Sequence, residues 1–286
     1  MKFSLIVCTY MRSEPLLRLL QSVKDQSQYP NEILIIDGSI DNKTKKILNE
    51  NRFNSLRYFS VSDQDRGLTK QRNFGISKVD HNSEIVCFLD DDIVLEFDYF
   101  ENLIKAYKIY PEALGIGGYI KNNNAKWSLD LKEEPIKYNY FYYDGWRRKY
   151  SQRSVLRKKL GLLDNCAPGV MPDFGNGKAI SFFPPSNKIY PTESLSGGVS
   201  SFKREILKKV QFSEYFEGYG LYEDTDFTMR VSKLGNLYIN TGAKLYHYHD
   251  EGGRPNKFQY GKMVLRNGWY VWRVGFPNPS IKARIK

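Results

Sequence analysis

Apolar residues over the first 110 or so positions follow two alternating patterns. Nearly continuous runs rich in β-branched residues recur at Phe3 to Thr9 (FSLIVCT), Glu32 to Asp37 (EILIID), Leu56 to Val61 (LRYFSV) and Glu84 to Asp90 (EIVCFLD). Between and after them, Glu14 to Gln26, Asp41 to Asn51, Leu68 to Val79 and Phe97 to Tyr110 carry apolar positions at helical spacing. Strands that are apolar on both faces, alternating with helices, predict an α/β fold: a Rossmann-like, mostly parallel central sheet covered on both sides by helices.

In such open sheets the ligand crevice lies beyond the carboxyl ends of the strands. The polar residues there are Thr9 and Tyr10, then Asp37 with Gly38 and Ser39, then Asp63 and Asp65, then Asp90, Asp91 and Asp92. Asp37 reads as a ligand contact, whereas Asp41 reads as the cap of the second helix. No G-x-G-x-x-G follows the first strand and no G-x-x-x-x-G-K-[ST] occurs, so neither the dinucleotide nor the P-loop fingerprint is present.

The pattern weakens from Lys121 to Tyr190, where the chain turns polar, aromatic and basic (KYNYFYYDGWRRKY, SQRSVLRKKLG) and is broken by Gly and Pro. This segment reads as an insertion with long loops, its aromatics and arginines suited to stacking on sugars or on nucleic-acid bases, with the sugar acceptor favoured. Met263 to Lys286 then carries Val264, Gly268, Val271 and Trp272 at helical spacing with many cations and no acid. It reads either as a helix lying on an anionic membrane surface or as one packing its aromatics on the core.

Charge and cysteine content change this picture in two places. A net charge of +11 favours a phosphorylated or anionic partner. Cys8, Cys87 and Cys166 form neither a disulfide framework nor a zinc spacing, which points to a reducing cytoplasm. The apolar N-terminus is too short and lacks the cleavage site of a leader, and no stretch is long enough to span a membrane.

The chemistry centres on Asp90, Asp91 and Asp92, three carboxylates at a strand end with no Lys or Arg beside them in sequence. Close like charges each cost up to roughly 4 kcal/mol at an effective dielectric of about 20. A hard divalent cation, Mg²⁺ or Mn²⁺, would relieve that repulsion and bridge to a substrate diphosphate. Further on, Glu223, Asp224 and Asp226 open a helix (YEDTDFTMR), where a carboxylate can deprotonate an acceptor hydroxyl. Glu223 and Asp224 point about 100° apart, so only one of them reaches the acceptor. His247 and His249 fall two apart on a predicted strand and share a face.

IVCTYMR, IIDGS and FLDDDIVL at successive strand ends, then LTKQRNFGI, SLSGGVSSFKREIL and GYGLYEDTDFTMRVSKLG in that order, resemble the glycosyltransferase family 2 nucleotide-sugar transferases of GT-A fold. The resemblance runs from Phe3 to about Phe276 and is weaker between Lys121 and Glu193. It implies that the aspartate triplet is a DxD motif, with Asp90 facing the sugar and ribose and Asp92 binding the metal. It implies further that Arg72 approaches the donor beside Thr9, Tyr10, Arg12, Asp37 and Asp91, and that Gly75 permits close packing. Asp224 would be the base with Glu223 supporting it, and His247 a late metal ligand alongside Asp92 and Asp90. Apart from the resemblance, the glycine-rich loop with Arg254 reads equally as a cover over the diphosphate or as a plain surface turn.

The expectation is one GT-A domain over 1–286, with a nucleotide-sugar half at 1–120, an acceptor and catalytic half at 121–256 and a basic aromatic tail at 257–286. The activity implied is inverting, metal-dependent transfer from a UDP-, dTDP- or GDP-sugar to a glycan or lipid-linked glycan, as in bacterial surface polysaccharide synthesis. A sugar nucleotidyltransferase is a rival reading, but CTYMRSEP lacks the Gly-rich basic loop that it needs after the first strand. A basic nucleic-acid-binding module is another, and it leaves both carboxylate groups unexplained.

Overall fold

The computed structural model describes residues 1–123, 125–130, 137–175, 177–248 and 256–285. In chain order the elements begin β1 (Phe3–Thr9), α1 (Ser13–Lys24), β2 (Glu32–Asp37), α2 (Lys43–Glu50), β3 (Leu56–Ser60), α3 (Leu68–Lys78), β4 (Ile85–Asp90), β5 (Ile93–Leu95), α4 (Tyr99–Ile109) and β6 (Gly115–Ile120). They continue with β7 (Trp127–Leu129), β8 (Tyr140–Tyr143), β9 (Trp146–Lys149), α5 (Gln152–Lys159), β10 (Ile189–Thr192), β11 (Val199–Lys203), α6 (Arg204–Leu207), α7 (Glu223–Ser232), β12 (Leu237–His247), α8 (Lys257–Gly275) and α9 (Ile281–Ile285).

The main sheet has nine strands in the order β10-β12-β6-β11-β4-β1-β2-β3, with β5 added beside β12. From β4 to β3 every pairing is parallel. Strand β11 runs antiparallel between β4 and β6, and β12 returns parallel to β6. One sheet therefore runs through both halves of the chain.

Apolar cores form on both sides of this sheet. On one, α1 presents Leu16, Leu19, Leu20 and Val23 at the i, i+3, i+4, i+7 spacing of a single face, all buried. On the other, α3 crosses close to β1 and β2. A Cβ at Gly75 would lie 2.9 Å from Ile6 and 3.2 Å from Ile36, so only glycine allows that approach.

The insertion differs from its expected long loops. Strands β7, β9 and β8 make a separate antiparallel sheet. Its aromatics are largely turned onto one another: Phe141 meets Phe182 at 5.4 Å and Tyr143 meets Tyr190 at 5.5 Å between ring centroids. Arg148 lies over the Phe182 ring at 4.2 Å. Rings read from sequence as free to stack on a ligand thus serve to bind the small sheet to β10.

The tail does form a helix, and the Val264, Gly268, Val271, Trp272 stripe is its inward side. Val271 is fully buried with Phe216 and Met229, and Trp272 Nε1 donates to the Asp173 carbonyl at 3.2 Å. No helix among the described residues is long and apolar enough to cross a membrane.

Candidate active site

Strands β1 and β4 are adjacent and parallel, with Cys8 opposite Asp90. Their ends therefore open together on one rim, and a cleft of about 680 Å³ lies there. Thr9, Tyr10, Arg12, Arg72, Asp90, Asp91, Asp92, Glu223, Asp224 and His247 all line it, gathered from five separated stretches of sequence. Asp37 is not among the lining residues. Its oxygens accept from the Ser39 backbone N–H at 2.8 Å and the Tyr58 hydroxyl at 2.9 Å, which fixes the turn after β2. Asp41 accepts from Lys43 N at 3.1 Å at the start of α2. His249 and Arg254 lie outside the described residues.

The three aspartates find cations that their local sequence does not supply. Arg12 Nη1 donates to Asp91 Oδ1 at 2.7 Å and Nη2 to Asp92 Oδ2 at 3.1 Å. Thr9 Oγ1 donates to the other Asp91 oxygen at 2.7 Å. Asp91 is thereby anchored at both oxygens, and burial still pushes its carboxyl up to about 7 against the pull of Arg12 and Thr9. Arg72, which is buried, ion-pairs with Glu223 and holds Asp90 at 3.6 Å.

Asp90, Asp92 and His247 come together as a possible metal centre, with one donor atom from each lying within 4.8 Å of the others. His247 Nε2 is 2.8 Å from Asp92 Oδ1. Burial works against a charged imidazole, but the Asp92 hydrogen bond and the charges of Asp90 and Asp92 prevail and raise its pKa. Two carboxylates and one imidazole suit Mn²⁺ and, less closely, Mg²⁺. The strand pairing of His247 with Ile93 carries the histidine to the aspartates.

On the opposite side of the cleft, α7 starts from Tyr222, a non-glycine residue at φ 73°. Glu223 turns inward, buried against Arg72, and burial pushes its carboxyl well above the usual range while Arg72 pulls it down. Its Oε2 has no hydrogen-bond partner among the described residues. Asp224 faces the cleft instead, accepting from Gly197 N at 3.1 Å and Thr225 N at 2.7 Å. Asp226 is buried and takes the Arg230 guanidinium at 2.6 Å one turn on.

Several lining residues were not singled out from sequence. Arg66 donates to the Gly38 carbonyl at 2.8 Å and places its guanidinium 5.9 Å from the centre of the Tyr10 ring. Gln71 donates to the Thr9 and Ile36 carbonyls, joining β1 and β2 at the rim. Gly197 and Gly198 sit where side chains cannot: a Cβ at Gly198 would lie 2.0 Å from the Asp90 carboxyl carbon, and one at Gly197 would lie 2.6 Å from Glu223 Oε1. The doubled glycine before an apolar strand was the one visible signal of that crowding.

A twisted sheet with strand-end aspartates, a glycine pair beneath them and an acidic helix facing them is the architecture of GT-A glycosyltransferases. Solved structures agree: GalNAc-T7 with UDP, GalNAc and Mn²⁺ superposes with a TM-score of 0.58 at 16% identity, over 92% of this chain and 47% of that one. Staphylococcus aureus TarS (residues 1–349) superposes with a TM-score of 0.57 at 17% identity, over 99% and 68%.

The glycosyl transferase family 2 model matches residues 4–169, and the chain belongs to that family. Among curated relatives, a glucosyl-dolichyl phosphate glucuronosyltransferase of Haloferax volcanii is 27% identical over 122 residues, 42% of this chain and 38% of its own length. The O-antigen chain rhamnosyltransferase RfbN of Salmonella typhimurium is 25% identical over 105 residues, 36% and 32% respectively. The matched segment thus spans well under half the length of either relative.

Proposed function

We propose that the chain is an inverting, metal-dependent glycosyltransferase acting on a nucleotide-diphosphate sugar. The observation that carries this reading is the division of one cleft, with Asp90, Asp92 and His247 on one wall and Asp224 on the other. The acceptor we assign is a glycan or lipid-linked glycan of bacterial surface polysaccharide synthesis, and the place is the cytoplasm, at the inner face of the membrane. The activities named for the Haloferax and Salmonella relatives support that class.

Asp90, Asp92 and His247 would hold Mn²⁺ or Mg²⁺, which supplies charge stabilisation to the leaving diphosphate. Asp91, tied to Thr9 and Arg12, keeps the triplet in place. Tyr10 and Arg66 offer a flat edge for the nucleobase at the open end of the cleft. Asp224 takes the proton of the acceptor hydroxyl as that oxygen bonds to the anomeric carbon. The bond from that carbon to the diphosphate breaks, and its electron pair leaves with the nucleotide. Arg72 and Glu223 position the two walls and take no proton in the transfer.

The test is Asp224→Asn, assayed by release of nucleoside diphosphate and by binding of the nucleotide. Turnover falls by about 10² to 10⁴ while nucleotide affinity stays near that of the wild type. Turnover within a few-fold of wild type would move the base to another residue.

A further inference from the structure

Helix α8 has two contrasting faces. Asn267 and Val271 are buried, and Asn267 Nδ2 donates to the Leu221 carbonyl at 2.9 Å. Tyr270 stacks on Tyr215 with ring centroids 3.9 Å apart. On the other side Phe258, Leu265 and Trp269 are 79%, 78% and 65% exposed. Their i, i+7, i+11 spacing places them within about 40° of one another around the helix. This outward stripe is distinct from the inward one that holds α8 to the protein.

Charge surrounds the stripe with a single sign. Lys257 precedes it, Lys262 lies one turn beyond Phe258, and Arg273 lies one turn beyond Trp269. None of the three has a carboxylate partner among the described residues. The sequence holds no Asp or Glu from Gly252 to Lys286.

We propose that this face of α8 docks on the surface of an anionic phospholipid bilayer, with Phe258, Leu265 and Trp269 among the headgroups and the flanking cations on lipid phosphates. A second copy of the chain is a poorer occupant, because a two-fold contact brings the same cations against each other. The helix is not apolar enough to span, so it lies along the interface.

Docking sets the direction of the cleft. Tyr260, in the first turns of α8, lines the cleft, and Gly268 packs against the Tyr222 ring on its wall. Tyr260 lies about 140–180° round the helix from the stripe, so a helix resting on lipid holds the cleft about one helix diameter above the headgroups, within reach of the glycan of a lipid-linked acceptor. That consequence rests on the proposed transfer reaction, whereas the docking does not.

The experiment is co-sedimentation of the full chain with phosphatidylcholine vesicles, with and without phosphatidylglycerol. Binding should require phosphatidylglycerol, weaken as salt rises, and fall by about tenfold or more in the Phe258→Ser, Leu265→Ser, Trp269→Ser triple variant. Thermal unfolding of that variant should match the wild type, since the replaced side chains are exposed. Asp224→Asn should bind vesicles like the wild type while losing turnover, so failure of the transfer reading leaves docking standing. Equal recovery in the supernatant with and without phosphatidylglycerol overturns the proposal, as does undiminished binding of the triple variant. A dimer that the triple variant abolishes, with no vesicle binding, assigns the face to a second copy and likewise overturns it.

Discussion

Replacing Gly198 by alanine isolates the geometry of the wall that carries Asp90. The new Cβ would stand 2.0 Å from both Cγ and Oδ2 of Asp90, and ordinary contact begins at 3.4 Å. The carboxylate must therefore retreat by about 1.4 Å. Gly198 is not in the left-handed region, so the backbone accepts alanine and the whole effect falls on Asp90. The Asp90 side chain is 37% exposed and can swing into the cleft, which keeps the folding cost near the low end of the roughly 1–3 kcal/mol typical of overpacking. In the proposed reaction catalysis has no such freedom, because misplacing a group that holds the metal by about 1 Å costs on the order of 10² in rate, or about 2.7 kcal/mol. The assay pairs steady-state release of nucleoside diphosphate with a thermal melt. Gly261→Ala is the control: its Cβ meets nothing within 4 Å, and it should stabilise α8 by up to about 1 kcal/mol with unchanged turnover. A folded Gly198→Ala enzyme within about threefold of wild-type turnover refutes the reasoning.

Two further predictions follow from the walls of the cleft. Glu223→Ala strands the buried Arg72 guanidinium and should cost about 3–5 kcal/mol, read by denaturant unfolding; adding Arg72→Met should restore part of that loss, and a purely additive double variant would show that the pair is not coupled. Asp92→Ala should abolish turnover and the Mn²⁺-dependent thermal shift given by nucleoside diphosphate, as should EDTA on the wild type; an enzyme indifferent to both has no metal at Asp90, Asp92 and His247.

Most of the fold was legible because parallel strands are buried on both faces. β1, β2 and β4 show as unbroken apolar runs, and each lies within a residue of its expected position. The helices were legible from spacing, with ends displaced by at most two residues. The small sheet was not legible: its strands are three or four residues long, and Tyr and Arg occupy both of their faces, which erases alternation. In the tail the spacing revealed the helix and its inward stripe, while the outward stripe of Phe258, Leu265 and Trp269 emerged only once the packing was known.

The candidate residues that line the cleft were legible by type and order, but their partners were not. Asp91 meets Arg12 across 79 positions and Arg72 meets Glu223 across 151, distances over which only strand order brings side chains together. The apparent lack of cations at Asp90, Asp91 and Asp92 was a property of local sequence alone. Asp37 illustrates the opposite case: a strand-end carboxylate of the expected kind whose oxygens are taken by Ser39 and Tyr58.

The direction of β11 gives the protein an unusual constraint. Because it runs against β4, its beginning, not its end, meets the rim where Asp90 stands, with Val199 opposite Leu89 and the Asp90 N–H donating to the Gly198 carbonyl. A slip of one residue would turn Val199 toward the Asp90 carboxylate and, at the far end, rotate Phe202 out of its buried place beside Phe88 and Phe227. Strand register and the shape of the cleft are thus a single property, and any insertion or deletion between Ser194 and Lys203 alters both at once.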